Sequence, residues 1–290
     1  MSLEVTLTKL HGCGNDYLFV DCLERPLEQA AEVARAVCDR RRAIGADGVI
    51  CIYPSERADF RMEMYNADGS RGEMCGNGIR GLGKYVADRG LAGGDSLSVE
   101  TDAGVRALEL IREGGRVRRV RVNMGMPVLE GRKIPVDADG TIIDHPIEVA
   151  GRTWRVTCVS MGNPHCVTFD ADPDELDLET IGPAFEHHRL FPARVNTEFI
   201  RAESPERLVM RVWERGSGET MACGTGACAA VVAGVLTGRC ARRAIVALRG
   251  GDLEIEYRED ETVVMTGPSV EVFTTTVRLE PAGNGLELGS

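Results

Sequence analysis

Two stretches of this chain share one pattern, Met74-Cys75-Gly76-Asn77-Gly78 and Ala222-Cys223-Gly224-Thr225-Gly226. In each, a cysteine is followed by a glycine, one variable residue and a second glycine. The two cysteines are 148 positions apart, from 75 to 223, in a chain of 290 residues. Similarity that recurs at about half the length of a chain is typical of an internal duplication.

Three further anchors fall on the same offset without a gap. They are Gly14-Asn15 with Gly162-Asn163, Gly48 with Asn196, and Asn66 with Glu214. One repeated tetrapeptide is weak evidence, but four anchors in one register are hard to attribute to chance. We therefore predict two similar domains related by a pseudo-twofold axis, with the active site in the cleft between them.

The pattern of apolar residues predicts an α+β fold. Short or alternating apolar runs predict strands at 17–20, 48–53, 117–122, 156–160, 195–200, 208–213 and 262–265. An amphipathic helix is predicted over Glu28–Arg40, and a helix follows each cysteine motif, over Ile79–Asp88 and Ala227–Leu236. The last helix is apolar on every side, which indicates burial all round. We expect each domain to be a mixed β-sheet, like a roll or barrel, wrapped around its central helix.

The polar, Gly- and Pro-bearing stretch Met124–Gly151 is the candidate boundary region. We expect an N-terminal domain over residues 1–123, joined by the C-terminal strand at about 271–290. A C-terminal domain is expected over residues 124–270.

Composition excludes several classes of protein. Lys and Arg number 34 against 45 Asp and Glu, a net charge of −11, so a non-specific nucleic-acid binder is not expected. The longest mostly apolar run, Ala227–Leu236, is half the length that a membrane span needs. None of the ten cysteines forms a C-x-x-C pair, so the zinc-ribbon and thioredoxin-like interpretations lose their main support. With no signal-like N-terminus, we expect reduced thiols and a cytoplasmic location.

The duplicated cysteines suggest proton transfer at carbon. Cys75 and Cys223 each precede a helix, where free N–H groups and the helix dipole lower the pKa of a thiol and attract anions. Inverting an α-carbon needs a thiolate that removes the proton from one face and a thiol that returns a proton to the other. Only three lysines are present, which argues against a pyridoxal phosphate mechanism, so no cofactor is expected. For a single copy of the motif, a tight turn is the better interpretation.

Several polar residues accompany the cysteines. Each asparagine alone is best explained as a turn former, but their shared register favours a polar lining; they are Asn15, Asn66, Asn163 and Asn196. Glu214 and Arg215 are either a surface pair or the partners of a substrate ammonium and a second substrate carboxylate. His165 is either a core histidine or a group that favours a nearby thiolate. No set of residues has the ligand count of a metal site.

The chain resembles the diaminopimelate epimerase family, the cofactor-independent enzymes of lysine biosynthesis that interconvert LL- and meso-2,6-diaminopimelate. The matching stretches span almost the whole chain; they are 11–16, 41–49, 66–80, 159–167 and 214–230. The resemblance implies two domains that close on the substrate, usually as homodimers. It implies that Cys75 donates and Cys223 accepts a proton in the LL-to-meso direction, and that His165 and Glu214 tune the two thiols. It places these residues on the substrate: Asn15, Asn66, Gly76, Asn77, Asn163, Asn196, Glu214, Arg215, Gly224 and Thr225.

The chain departs from this family at three places. Gly48 stands where some members carry a glutamine that contacts the substrate, and Phe273 replaces a tyrosine linked to dimerisation. The tail Glu280–Ser290 has no counterpart, and we expect it to be mobile. Two other functions stay open: a proline- or hydroxyproline-type racemase, which Arg215 argues against, and a thiol-redox or binding protein.

Overall fold

The computed structural model describes residues 2–72, 74–283 and 285–289. The chain forms two compact units. One comprises the described residues of Met1–Val122 and Pro268–Ser290, and the other comprises Asn123–Gly267. The N-terminal segment of the chain and its C-terminal segment therefore fold together.

Four helices and nineteen strands are present in the described residues. The helices are α1 (Ala30–Val37), α2 (Gly76–Asp88), α3 (Leu178–Glu186) and α4 (Gly224–Leu236). The strands before residue 130 are β1 (Leu3–Gly12), β2 (Asn15–Asp21), β3 (Gly48–Tyr53), β4 (Phe60–Asn66), β5 (Arg71–Gly72), β6 (Ser96–Thr101), β7 (Gly104–Glu113) and β8 (Arg116–Gly125). The later strands are β9 (His145–Val149), β10 (Arg152–Ser160), β11 (Pro164–Thr168), β12 (Asn196–Ser204), β13 (Arg207–Glu214), β14 (Gly218–Glu219), β15 (Arg243–Leu248), β16 (Gly251–Tyr257), β17 (Val263–Pro268), β18 (Val270–Ala282) and β19 (Gly285–Leu288).

The first unit is a mixed sheet around α2. Strand β2 runs parallel to β3, with Tyr17 opposite Gly48, and β3 runs antiparallel to β4, with Gly48 opposite Asn66. Strand β1 pairs with both β2 and β18. Every residue of α2 except Asp88 is buried. Because the helix is enclosed on all sides, its first turn has a fixed position at the ends of these strands.

The second unit repeats this arrangement in the same register. Strand β11 runs parallel to β12, with His165 opposite Asn196, and β12 runs antiparallel to β13. Each position in these pairs differs by 148 from its counterpart in the first unit. Helices α2 and α4 both have 13 residues and begin 148 positions apart. The predicted α+β fold with an internal duplication is confirmed.

Two predicted segments differ from the structure. The helix predicted over Glu28–Arg40 is shorter and ends at Val37, because the chain turns back and Gly45 N–H bonds the Val37 carbonyl. The candidate boundary stretch 124–151 begins next to Asn123, where the second unit starts, but it is not polar throughout. Five of its apolar residues are buried in the core of the second unit; they are Ile134, Val136, Ile142, Ile147 and Val149.

The expectation of a mobile tail is wrong for its described residues. Strand β19 pairs antiparallel with β18, with Leu288 opposite Leu279. Leu286 and Leu288 pack partly against the core of the first unit. Asn284 and Ser290 of this tail, and Glu73 within the matching stretch 66–80, lie outside the described residues.

Candidate active site

Each motif cysteine is the N-terminal cap of a buried helix. Helices α2 and α4 begin directly after Cys75 and Cys223, three residues earlier than predicted, because glycine is a poor helix former and hides the start in the sequence. The Gly78 N–H donates to Cys75 Sγ at 3.5 Å, and the Gly226 N–H donates to Cys223 Sγ at 3.4 Å. Both sulfurs therefore lie at the positive end of a helix, next to amide groups that have no partner within the helix.

The Cys75 half-site is built by the start of β2 and the first turn of α2. Cys75 Sγ lies 3.5 Å from Asn15 Oδ1, which also accepts a hydrogen bond from Asn77 Nδ2 at 3.0 Å. The Asn15 amide in turn donates to Asp47 Oδ2 at 2.6 Å. The buried Tyr17 hydroxyl is hydrogen-bonded to Cys75 and to Asn15. The thiol thus faces a connected set of polar side chains, although Tyr17 was not predicted as part of it.

A buried arginine stabilises the first turn of α2. Arg80 is fully buried and donates to the Gly76 carbonyl at 3.0 Å and to Asn77 Oδ1 at 2.6 Å. Its Nε donates to the Pro268 carbonyl at 3.3 Å. Its positive charge favours the Cys75 thiolate. Arg80 therefore contributes both the geometry and the electrostatics of this half-site.

The Cys223 half-site carries negative charge. Cys223 Sγ lies 3.5 Å from the Thr225 hydroxyl, and the thiol is hydrogen-bonded to the Glu214 carboxylate. Glu214 also accepts a hydrogen bond from the Thr220 hydroxyl at 2.5 Å. Burial raises the pKa of Glu214, and its hydrogen bonds to Thr220 and Cys223 oppose this rise.

A buried histidine and carboxylate lie beneath this second thiol. His165 Nδ1 is 2.7 Å from Glu198 Oε1, and both side chains are fully buried. His165 Nε2 is 2.9 Å from Asn163 Oδ1. His165 and Asn163 were predicted from the sequence, whereas Glu198 was not.

The amides at the helix start lower the pKa of each thiol as predicted, but burial outweighs them and the pKa of both thiols is raised. Burial raises the pKa of Cys75, and hydrogen bonds from Tyr17, Gly78 and Asn77 only oppose the rise. The pKa of Cys223 is raised further, by burial first and then by the charges of Glu214 and Glu198. The predicted amide contacts exist, but the free-energy cost of removing a thiolate from water exceeds the stabilisation that these contacts provide.

The remaining predicted residues take varied positions. Asn196 is buried, and its amide donates to the Pro164 carbonyl at 2.8 Å and accepts the Arg215 N–H at 2.9 Å. The Arg215 side chain is exposed and donates to the Ala193 carbonyl at 3.1 Å. The Asn66 amide donates to the Ser70 hydroxyl at 3.0 Å. Asn196 thus orients the backbone of Arg215, whose guanidinium has no carboxylate partner among the described residues.

Gly48 has no room for a larger side chain. A Cβ atom at this position would lie 2.3 Å from the Tyr65 carbonyl oxygen and 3.1 Å from Tyr17 Cε1. The missing glutamine contact is therefore a consequence of packing, because the Tyr17 ring and the neighbouring strand fill this space.

Neither a metal centre nor a membrane span is found in the described part of the chain. No group of three or more His, Cys, Asp or Glu side chains could hold a metal ion there. Among residues 2–72, 74–283 and 285–289, no helix is long and apolar enough to cross a membrane.

Comparison with known proteins identifies the family. A sequence model described as diaminopimelate epimerase matches residues 7–130 and 157–272. The chain belongs to the diaminopimelate epimerase family. It is 53% identical over 274 residues to the diaminopimelate epimerase of Acetivibrio thermocellus, covering 94% of this chain and 98% of that one. It is 56% identical over 268 residues to that of Moorella thermoacetica, covering 91% and 96%.

Solved structures share the diaminopimelate epimerase fold at low sequence identity. A hydroxyproline epimerase from Agrobacterium vitis has a TM-score of 0.68 at 15% identity, covering 96% of this chain and 92% of that one. A PhzF-family phenazine biosynthesis protein from Bacillus anthracis has a TM-score of 0.68 at 17% identity, covering 95% and 99%. At these identities the likeness concerns the fold alone.

The internal repeat could have located Tyr17, which sequence reasoning missed. Tyr17 lies 148 positions before His165, and Ile50 lies 148 positions before Glu198. Extending the register from the cysteines to these strands would have marked Tyr17 as the counterpart of a predicted site residue. The signal for Glu198 was a carboxylate directly before the apolar pair Phe199-Ile200 in a predicted strand.

Proposed function

We propose that this chain interconverts LL- and meso-2,6-diaminopimelate in lysine biosynthesis, with Cys75 and Cys223 as the two proton carriers and without a cofactor. The observation that carries the mechanism is the matched position of the two thiols. Each caps the first turn of a buried helix and receives an amide N–H at 3.4–3.5 Å. A pair of equivalent thiols is suited to removing a proton from one face of an α-carbon and returning one to the other.

The helix N-termini would stabilise the reaction intermediate. Removing the α-proton of an amino acid moves negative charge onto its carboxylate. First-turn N–H groups and the positive helix end stabilise such charge. We assign this binding to Gly76 and Asn77 on α2 and to Gly224 and Thr225 on α4. Because both turns are fixed by buried helices, the donors are oriented before the substrate arrives.

We assign the protonation states of the two thiols in the free enzyme from the charges around them. Arg80 favours a thiolate at Cys75, whereas Glu214 and Glu198 disfavour one at Cys223. We therefore propose that the free enzyme carries its proton on Cys223 and ionises first at Cys75. In the LL-to-meso direction that the family resemblance describes, Cys75 must be the thiol and Cys223 the thiolate. This direction therefore uses the less populated protonation form of the free enzyme.

The polar side chains would hold the rest of the substrate. The exposed Arg215 guanidinium is available for the distal carboxylate, and Glu214 is placed to receive an ammonium group. We assign further substrate contacts to the asparagine side chains, which are Asn15, Asn66, Asn163 and Asn196. His165 would act beside Glu214 in setting the protonation of the thiols.

We also propose that the protein is a cytoplasmic homodimer. Three apolar residues of β18 are exposed: Val270 by 45%, Val272 by 53% and Phe273 by 41%. Exposed apolar side chains grouped on one strand favour an interaction surface. All ten cysteines are free, as expected in a reducing compartment. Light scattering should give the mass of a dimer, and Phe273→Asp should give that of a monomer; a monomeric native protein contradicts the assignment.

Single cysteine variants test the proposed chemistry. Cys75→Ala and Cys223→Ala should each lose epimerisation by ~10²–10⁴-fold, because each removes one obligatory proton carrier. Cys240→Ala is the matched control, since Cys240, like Cys75, is a partly exposed thiol, and it donates to the Val231 carbonyl at 3.6 Å rather than capping a helix. The assay is conversion of LL-diaminopimelate, with melting temperature as the check of folding. Near-normal turnover by either motif variant contradicts the proposal.

A further inference from the structure

Glu198 is a buried carboxylate with one unsatisfied oxygen. The side chain lies on β12 and is fully buried. Its Oε1 bonds His165, whereas its Oε2 has no hydrogen-bond partner among the described residues. Burying a charged group without satisfying both oxygens destabilises a protein. A purely structural residue at this position would not need the charge.

The carboxylate lies against the same helical turn as the second thiol. A Cβ atom at Gly226 would be 2.6 Å from Glu198 Oε1 and 3.2 Å from Cys223 Sγ. Both groups therefore lie against Gly226, and its missing side chain lets both approach. A negative charge this close disfavours a thiolate, in line with the raised pKa of Cys223.

The first unit provides an internal comparison. Ile50 is the repeat counterpart of Glu198, and Gly78 is the counterpart of Gly226. A Cβ atom at Gly78 would lie 2.5 Å from Ile50 Cδ1, so isoleucine fills the same place beneath Cys75. The duplicated fold accommodates an apolar side chain here. The carboxylate at position 198 is thus a specific feature of the Cys223 half-site, which the packing does not demand.

We infer that Glu198 is a positioning residue of the Cys223 half-site: its carboxylate holds the His165 ring through Nδ1, and its charge keeps the proton on Cys223. This inference rests on the proposed function, in which Cys223 is one of two proton carriers. The symmetric backbone then carries an asymmetric charge distribution, and that asymmetry selects which thiol is ionised in the free enzyme.

Other groups also act on Cys223 and must stay constant in a test. Glu214 faces the thiol from β13, and His165 lies beneath it on β11. From α4, the Thr225 hydroxyl and the Gly226 N–H bond the sulfur. Glu198→Gln leaves all of these groups in place, and its side-chain oxygen can still accept the hydrogen bond from His165 Nδ1.

The experiment measures thiol ionisation, so that it does not depend on turnover. Wild type and Glu198→Gln are alkylated with iodoacetamide across a range of pH, and the rates at Cys223 and Cys75 are read separately by peptide mass mapping. The thiolate is the reactive form. At a given pH below the pKa of Cys223, we expect this thiol to be alkylated roughly tenfold faster in the variant than in the wild type. The curve of alkylation rate against pH should move to lower pH. The Cys75 profile should not move.

A second buried carboxylate serves as the control. Glu186 is 5% exposed and accepts hydrogen bonds from Trp213 Nε1 at 2.8 Å and from Gly216 N–H at 3.0 Å. Glu186→Gln removes a comparable charge from the same unit and should leave the Cys223 profile unchanged. An unchanged Cys223 profile in Glu198→Gln overturns the inference, as do equal shifts at both cysteines. Full activity of Cys223→Ala would instead overturn the proposed function, whatever the labelling shows.

Discussion

Tyr17→Phe removes one oxygen beside the Cys75 thiol. Tyr17 is 7% exposed, so a phenylalanine ring keeps the packing against Gly48. The lost hydroxyl donates to the Cys75 sulfur and lowers the pKa of that thiol. A hydrogen bond to a charged group contributes about 1.5–3 kcal/mol, so the thiolate population at neutral pH should fall roughly 10- to 150-fold. Because the pKa of Cys75 rises, the increase of kcat/KM with pH should move to higher pH in the meso-to-LL direction, in which Cys75 is the thiolate that removes the proton.

The assays for this variant separate ionisation from folding. Iodoacetamide labelling of Cys75 should slow at neutral pH and recover in alkali, in parallel with epimerisation of meso-diaminopimelate. Loss of a buried hydroxyl's hydrogen bonds costs about 1 kcal/mol, so the melting temperature should fall by only roughly 2–4 °C. Tyr65→Phe is the control, because its hydroxyl bonds Glu63 at 3.1 Å and Arg71 at 3.3 Å instead. Unchanged labelling and pH profile in Tyr17→Phe would refute the reasoning.

Three further predictions concern Arg215, Gly48 and the pair of proposed catalytic thiols. Arg215→Met should lower kcat/KM for diaminopimelate, with a rise of ~2–5 kcal/mol in the corresponding activation free energy, because the distal carboxylate loses its partner. The free energy of unfolding should change by no more than about 0.5 kcal/mol, because the side chain is exposed. Unchanged discrimination between diaminopimelate and lysine contradicts this prediction. Gly48→Ala should lower the free energy of unfolding in urea by about 1–3 kcal/mol, because its Cβ would lie 2.3 Å from a carbonyl oxygen. Gly93→Ala is the control and should leave this free energy unchanged, because nothing lies within 4 Å of its Cβ. Equal urea midpoints for the two variants refute the prediction. Mild oxidation should join Cys75 to Cys223 reversibly, with substrate protecting; peptide mapping that finds another dominant bridge opposes this.

The fold was predictable where the sequence repeats. The offset of 148 between the cysteine motifs recurs in two parallel strand pairs of the structure, at Tyr17–Gly48 and at His165–Asn196, although the sequence did not predict which strands pair. Helix α3 was missed because Pro183 lies inside it, and proline ordinarily ends a helix. This helix forms because tertiary packing overrides local preference: Phe185 meets Phe199 edge to face at 5.2 Å.

The site was predictable in its residues and less so in its electrostatics. The asparagines Asn15 and Asn163 are visible because they occupy equivalent positions in the two repeats, 148 residues apart. The pKa of Cys223 depends on burial and on Glu198, which lies 25 positions away in the sequence, from 198 to 223. Such a shift requires the folded arrangement of β12 and α4. No local pattern around the cysteine contains it.

Epimerisation in heavy water tests most directly whether two thiols share the reaction. LL-diaminopimelate is incubated with the enzyme, and the α-hydrogens of product and of recovered substrate are measured at low conversion. A thiol carries one proton, so the hydrogen removed by one sulfur stays there while the other sulfur delivers deuterium from solvent. The account predicts a product with one deuterium at the inverted carbon and recovered substrate with almost none. A product that keeps the substrate's own hydrogen, or equal labelling of both, would contradict it.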